Sequence, residues 1–169
     1  MGWVALELAY GMPDRRTAYL TDDGTNAGLY LFVADREGDL SAGTLYAARW
    51  NQRPDPDGSA GAGAADLAWV HLGHATQTEV GQAIDKGVTF PELFATARHT
   101  DGDCPEGFAS VNIGHAKPRA ECLRVQPGKE VLASRLETRR FAAMRGTTTD
   151  WHKMEGITSA ASGTWHRHS

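Results

Sequence analysis

Cysteine is scarce, and the two present, Cys104 and Cys122, form no CxxC spacing. That excludes a zinc ribbon, a thioredoxin-type redox motif and a disulfide-dense secreted framework. The pair reads as buried or incidental thiols, with a disulfide open to it in an oxidising compartment. Long apolar runs are also missing. No stretch approaches the roughly 20 residues needed to cross a bilayer, so no transmembrane segment is expected. Met1 opens directly onto a strand-like segment, with neither a basic n-region nor a hydrophobic signal core, and the chain as given carries no export address. A basic surplus is lacking too. Lys and Arg number 17 against 21 Asp and Glu, a net charge of -4, which excludes the concentrated positive surface that displaces counterions from nucleic acid.

What is there fits one folded domain. The chain is 41% apolar and 22% charged, ordinary for a globular protein, and chains of this size bury about two-thirds of the surface they expose when unfolded. The pattern is mainly β with helical insertions. Residues 3–10, 17–21, 28–35 and 43–50 alternate and are separated by "GMPD", "DDGTNA" and "REGDLSA", whose Asp, Asn and Gly suit tight turns. These four strands in 1–50 have the size of one propeller blade, although a sandwich or barrel meander has the same pattern. Residues 51–65, "NQRPDPDGSAGAGAA", read as a flexible loop. Within 66–146, residues 66–74 give a fifth strand. "TQTEVGQAIDKG" starts a helix with Thr76 as cap and Glu79 as its reciprocal partner. "FPELFATAR" gives a second short helix, 101–120 a loop, 121–127 a strand, and 129–146 one long helix. That helix places Val131, Leu132, Leu136, Ala143 and Met144 along one face and Arg135, Glu137, Arg139 and Arg140 around the rest. Residues 147–169 begin an inner strand and end in a divergent tail, with His166 and His168 in a solvated end.

The phrases "DDGTNAGLYLFVADREGDLSAGTLYAARW", "LGHATQTEV", "CPEGF", "ASRLETRRFAAMRG" and "KMEGIT" occur in an order that resembles the PhoX-type alkaline phosphatase family, over about residues 3–158. The resemblance implies a β-propeller, of which this chain is a partial set of blades. It also implies periplasmic or secreted location and hydrolysis of phosphate monoesters with calcium and iron. The family's preceding segment, with Trp, Cys and paired glutamates, and its later Arg-Pro-Glu segment have no counterpart here. The expectation is therefore an internal or truncated piece that does not turn over substrate by itself. A non-catalytic β-rich binding or assembly module is the alternative, since propellers host binding as readily as chemistry.

Inner strands of a propeller converge on its axis, where carboxylates can hold hard cations through oxygen. Glu7 in the first strand and Glu155 in "MEGIT" are the candidate metal ligands; an alternating strand also accommodates such acids facing solvent. Asp22 and Asp23 are secondary calcium candidates, their turn chemistry being the competing explanation. Arg139 and Arg140 offer planar forks suited to a substrate phosphate, or pair on the helix with Glu137 and other acids. His71 and His74, three apart on a strand, are expected on opposite faces, a poor ligand pair.

Overall fold

A computed structural model describes residues 1–54, 64–100, 102–113, 120–159 and 165–168. The strands in its first half are β1 (Leu6–Gly11), β2 (Thr17–Asp22), the short β3 (Thr25–Ala27), β4 (Leu29–Arg36), β5 (Asp39–Gln52) and β6 (Ala65–Thr76). Five of them make one antiparallel sheet in the order β1-β2-β4-β5-β6, each strand beside its sequence neighbour once β3 is set aside. Local chemistry sets the turns. The Asp14 carboxylate accepts from the amides of Arg16 and Thr17 and from the Thr17 hydroxyl, an Asx-type turn that reverses the chain between β1 and β2. Strands β5 and β6 extend beyond the expected limits, to Gln52 and from Ala65. The rest of the expected 51–65 loop falls mostly on residues 55–63, outside the described residues.

Side-chain alternation along these strands sends residues to two faces. Leu20, Tyr30, Phe32, Ala34 and Leu45 enter the larger core, together with Leu93, Phe94, Leu123 and Phe141 from the covering elements. Leu29 and Ala48 face the opposite side, where Met154 and Ile157 cover them. Gly43 on β5 lies where two strands approach closely. A Cβ there would sit 2.5 Å from Phe32 Cζ and from the Val33 carbonyl, and 3.0 Å from Ala34 Cα. Backbone atoms of a paired strand cannot yield as a side chain does. Gly43→Ala is expected to lose about 1–3 kcal/mol, read as a lower urea midpoint at unchanged slope; an unchanged midpoint would show that the sheet opens freely there.

The covering layer departs from the pattern in three places. Helix α1 (Gln77–Asp85) begins as expected: Glu79 N donates to Thr76 Oγ1 at 3.2 Å and Thr76 N to Glu79 Oε2 at 2.7 Å. Helix α2 (Phe90–Leu93), however, stops after one turn, and the chain continues as β7 (Phe94–Ala97) instead of running helically to 98. Pairing overrides the local tendency: β7 lies antiparallel to β9 (Glu121–Val125), which also pairs with β8 (Ala109–Val111) inside the expected loop.

The single helix expected over 129–146 is two, α3 (Glu130–Leu136) and α4 (Thr138–Met144), broken at Glu137 with φ -134° and ψ 49°. The break is held by groups outside the helical ladder. Trp3 N donates to the Arg135 carbonyl at 2.8 Å, and the Thr138 hydroxyl donates to the Ser134 carbonyl at 2.8 Å, so carbonyls freed at the C-terminus of α3 keep partners. The buried face turns with it. Ala133, Ser134, Arg135, Thr138, Phe141 and Ala142 point inward, while Val131, expected in the apolar stripe, is 40% exposed.

Two small ribbons finish the chain: β10 (Trp151–His152) pairs with β3, and β11 (Gly156–Ser159) pairs with β12 (Trp165–His168). The end containing His166 and His168 is thus strand in its backbone, not the expected loose tail. The architecture is mainly β, built of antiparallel sheets with helices laid against one face.

Candidate functional site

Asp22 closes β2 and is 0% exposed. Its Oδ1 accepts from Ala5 N at 3.0 Å and its Oδ2 from Gly28 N at 3.4 Å. Arg139, on α4, completes the shell: Nε donates to Oδ2 at 2.7 Å and Nη2 to Oδ1 at 2.5 Å, with a further bond to the Asp23 carbonyl at 3.0 Å. This is the two-pronged geometry in which guanidinium and carboxylate planes match. Burial is the largest single influence and works against the Arg139 charge, but the Asp22 hydrogen bonds and the Asp22 charge together overcome it and hold the guanidinium above its ordinary range. Beside the pair, the Tyr30 hydroxyl is buried with no hydrogen-bond partner among the described residues. Burial first, and then the Asp22 charge, push its pKa upward, so it stays a neutral phenol. A Cβ at position 28 would lie 2.7 Å from that hydroxyl, leaving room only for Gly28.

The expected calcium donors are therefore placed differently from one another. Asp22 gives its oxygens to Arg139 and two amides, and a cation set there would meet the Arg139 charge. Asp23 uses its backbone, its N–H donating to the Ala5 carbonyl at 2.7 Å. Glu7 is exposed on β1, the edge strand of the large sheet. Glu155 is exposed directly ahead of β11, which packs against β1 and β2. Glu7 and Glu155 thus stand on adjoining segments, while Asp22 is sealed under Arg139.

Arg140 is engaged as fully as Arg139. It donates from Nε and Nη2 to Glu121 at 2.7 and 3.0 Å, and from Nη1 to Glu137 at 2.7 Å, with its guanidinium 5.1 Å from the centre of the Phe90 ring. The Glu121 hydrogen bond is the main cause that raises its pKa. Both candidate phosphate arginines lie on the wall of an open cleft of about 590 Å³, whose apolar side is formed by Trp3, Ile84, Phe90 and Leu93. Arg140 also borders a second cleft of about 470 Å³, with Glu121 and Cys122. Pairing with acids, the alternative reading of these arginines, is what the side chains do; the face expected with it is only partly solvated, the side chains being 18% and 26% exposed.

The histidines correct the strand reading. A bulge between the Leu45–Gly73 and Tyr46–His71 pairs shifts the alternation of β6 by one. His71 and His74 are both exposed, whereas Leu72 and Ala75 are both buried, so the two rings share the solvent face instead of opposing each other. His74 Nε2 meets the Asp35 carboxylate at 2.9 Å, and His71 stacks edge-on to Tyr46.

Two features had no clear signal. Cys104 and Cys122 are joined in a disulfide with Cα atoms 5.4 Å apart, correcting the reading of separate thiols. Their spacing in sequence says nothing of the β-sheet that brings them together. His99 stands beside them, and the three form the only group of three or more His, Cys, Asp or Glu among the described residues whose ligand atoms lie within 4.8 Å of one another. No family model, curated protein or solved structure matches the chain, so the resemblance to the PhoX type stands on the quoted phrases alone.

Proposed function

We propose that the chain is part of a PhoX-like, metal-dependent phosphomonoesterase scaffold, a partial β-propeller in which the β1-to-β6 meander serves as a blade-like unit. Glu7 and Glu155 are two of its oxygen donors to calcium, with iron as the second metal class. The observation that carries this reading is the packing of β11 against β1, which sets two exposed carboxylates on adjoining segments. Glu7 and Glu155 would hold the metal, which when bound would supply polarisation of a phosphoryl oxygen and a lowered pKa of the attacking oxygen; the substrate would be a phosphate monoester. Calcium takes about 6–8 oxygens, so two carboxylates under-fill it, and the chain binds without turning over substrate by itself. The Cys104–Cys122 bridge supports an oxidising, periplasmic or secreted location.

Calcium titration of the metal-stripped protein tests it. Wild type is expected to bind calcium weakly, and Glu7→Gln and Glu155→Gln are each expected to weaken binding about tenfold, the order of one lost charged donor at 1–2 kcal/mol. Phosphate release from an aryl phosphate with calcium and ferric iron supplied should stay at background. Unchanged calcium affinity in both variants would remove the metal reading.

The engagement of Arg139 and Arg140 by Asp22, Glu121 and Glu137 favours the second reading, a non-catalytic binding or assembly module. Metal analysis of the protein as purified separates the two. Calcium or iron near stoichiometry supports the first, and neither supports the second.

A further inference from the structure

The large sheet and the arginine pairs leave one group of reactive side chains unused, at the edge of the three-stranded sheet. Thr100 and Asp103 exchange both backbone hydrogen bonds, at 2.9 and 3.1 Å. A bridged pair of this kind places the residues flanking it, His99 and Cys104, side by side. Cys122 approaches from the central strand β9, where it pairs with Ala97 and Ser110. His99 Nε2 stands 3.7 Å from Cys104 Sγ. Burial is graded across the group: Cys122 is 2% exposed, Cys104 half-buried and His99 exposed. One rigid ligand position, one intermediate and one open to solvent therefore converge on one point.

We propose that reduction of the Cys104–Cys122 disulfide converts these three residues into a site for a thiophilic divalent cation of the zinc class, with two thiolates and one imidazole as ligands and a fourth position open to solvent. Zinc binds sulfur at about 2.3 Å and imidazole nitrogen at about 2.0–2.1 Å in a tetrahedron, which sets ligand-to-ligand edges of roughly 3.5–3.8 Å. The His99–Cys104 separation already has that length. The sulfurs must part, and half-buried Cys104 is less confined than Cys122; all three ligand atoms already lie within 4.8 Å of one another.

The chemistry balances with a dithiol donor. The dithiol is oxidised to its own disulfide, and its two electrons and two protons convert the Cys104–Cys122 bond into two thiols. Zinc binding then releases those two protons to solvent, leaving two thiolates and a neutral imidazole on the cation. The disulfide and metal forms exclude each other, because the same sulfur electron pairs serve both. The site is distinct from Glu7 and Glu155 in ligand type and place, and its test is independent of theirs.

Oxidised and phosphine-reduced protein are titrated with cobalt(II) and then zinc, a phosphine being chosen because a dithiol would compete for the metal. In reduction by the phosphine, water supplies the oxygen of the phosphine oxide and the protons of the two thiols. Reduced protein is expected to bind one cobalt per chain, with thiolate-to-metal absorption and the visible bands of tetrahedral coordination, displaced by one equivalent of zinc. Oxidised protein is expected to bind at least 100-fold more weakly. His99→Ala, an exposed change that leaves the disulfide able to form, is expected to weaken binding of the reduced form at least tenfold. Equal binding in both redox states, binding unaffected by His99→Ala, or loss of the β-sheet circular dichroism signal on reduction would each overturn the proposal; the last would make the bridge a structural staple only.

Discussion

Asp22→Ala is expected to cost about 3–5 kcal/mol of folding stability, the range for removing one partner of a buried ion pair. Asp22 is wholly buried, and its carboxylate is the common acceptor for Arg139, Ala5 N and Gly28 N. Deleting it strands a guanidinium and two amides at once. Asp22→Asn keeps an acceptor oxygen and loses the charge, so its loss is expected to be smaller. Urea unfolding gives both numbers. The double variant Asp22→Ala/Arg139→Met is expected to lose less than the two single changes together, by about 0.5–3 kcal/mol of coupling. The same measurement distinguishes the structural role from the calcium one. An Asp22 paired with Arg139 leaves any calcium-dependent rise of the midpoint the same size in Asp22→Ala as in wild type, whereas a calcium donor gives a rise that Asp22→Ala loses. A loss below about 0.5 kcal/mol in Asp22→Ala, the scale of an ordinary surface change, would mean the pair is open to solvent.

The parts of this fold legible in the sequence are those set by neighbours along the chain. Alternation in 17–21 and 28–35 located β2 and β4, because burial on a pleated face recurs every second residue. The turn acids at 14 and around 37–39, and the Thr76–Glu79 box, act over two or three residues, and Thr76 caps α1 as expected. The misplaced elements are those decided by residues far away. Residues 94–97 leave the helix because β9 offers a pairing edge. The break at 137 depends on the amide of Trp3. The bulge in β6, which moves His71 and His74 to one face, is a property of its register with β5.

The same division runs through the candidate site. That Arg139 and Arg140 pair with acids was readable from the usual behaviour of arginines on a helix beside Glu137, but Asp22 and Glu121 as the partners were not, since they are 117 and 19 positions from their arginines. Glu7 and Glu155 come to adjoining segments only because β11 packs against β1. The disulfide is the plainest case. Thr100 and Asp103 fold one cysteine back over the strand that carries the other, and no local motif encodes that.

Arg135 is the residue that the helical pattern misplaced furthest, and Arg135→Ala is the second large expected loss, about 3–5 kcal/mol from cavity and unmet acceptors together. The side chain is 2% exposed and has no carboxylate in ion-pair contact among the described residues. Instead Nη2 donates to the carbonyls of Gly43 and Gly73, at 3.1 and 2.9 Å, and Nη1 to the Ser134 hydroxyl at 3.0 Å. Gly73 adjoins the bulge between β5 and β6, where the ladder is interrupted and a carbonyl needs another donor. Burial, only partly offset by the Glu79 charge, pulls the guanidinium down to about 10. It remains charged at neutral pH, with its desolvation unrelieved until pH rises through that value. Stability should accordingly be flat in this term near pH 7 and gain only as pH rises above about 10, where the folded state sheds its proton before the unfolded state does. Two substitutions divide the contributions. Arg135→Met fills most of the space, removes the buried charge and leaves the carbonyls without a donor, so it is expected to lose about 1–3 kcal/mol, less than the alanine variant. Amide exchange across the β5–β6 bulge should quicken in both variants. If Arg135→Met proves as stable as the wild type, the carbonyl contacts only offset the burial of the charge, and the bulge is held by strand pairing alone.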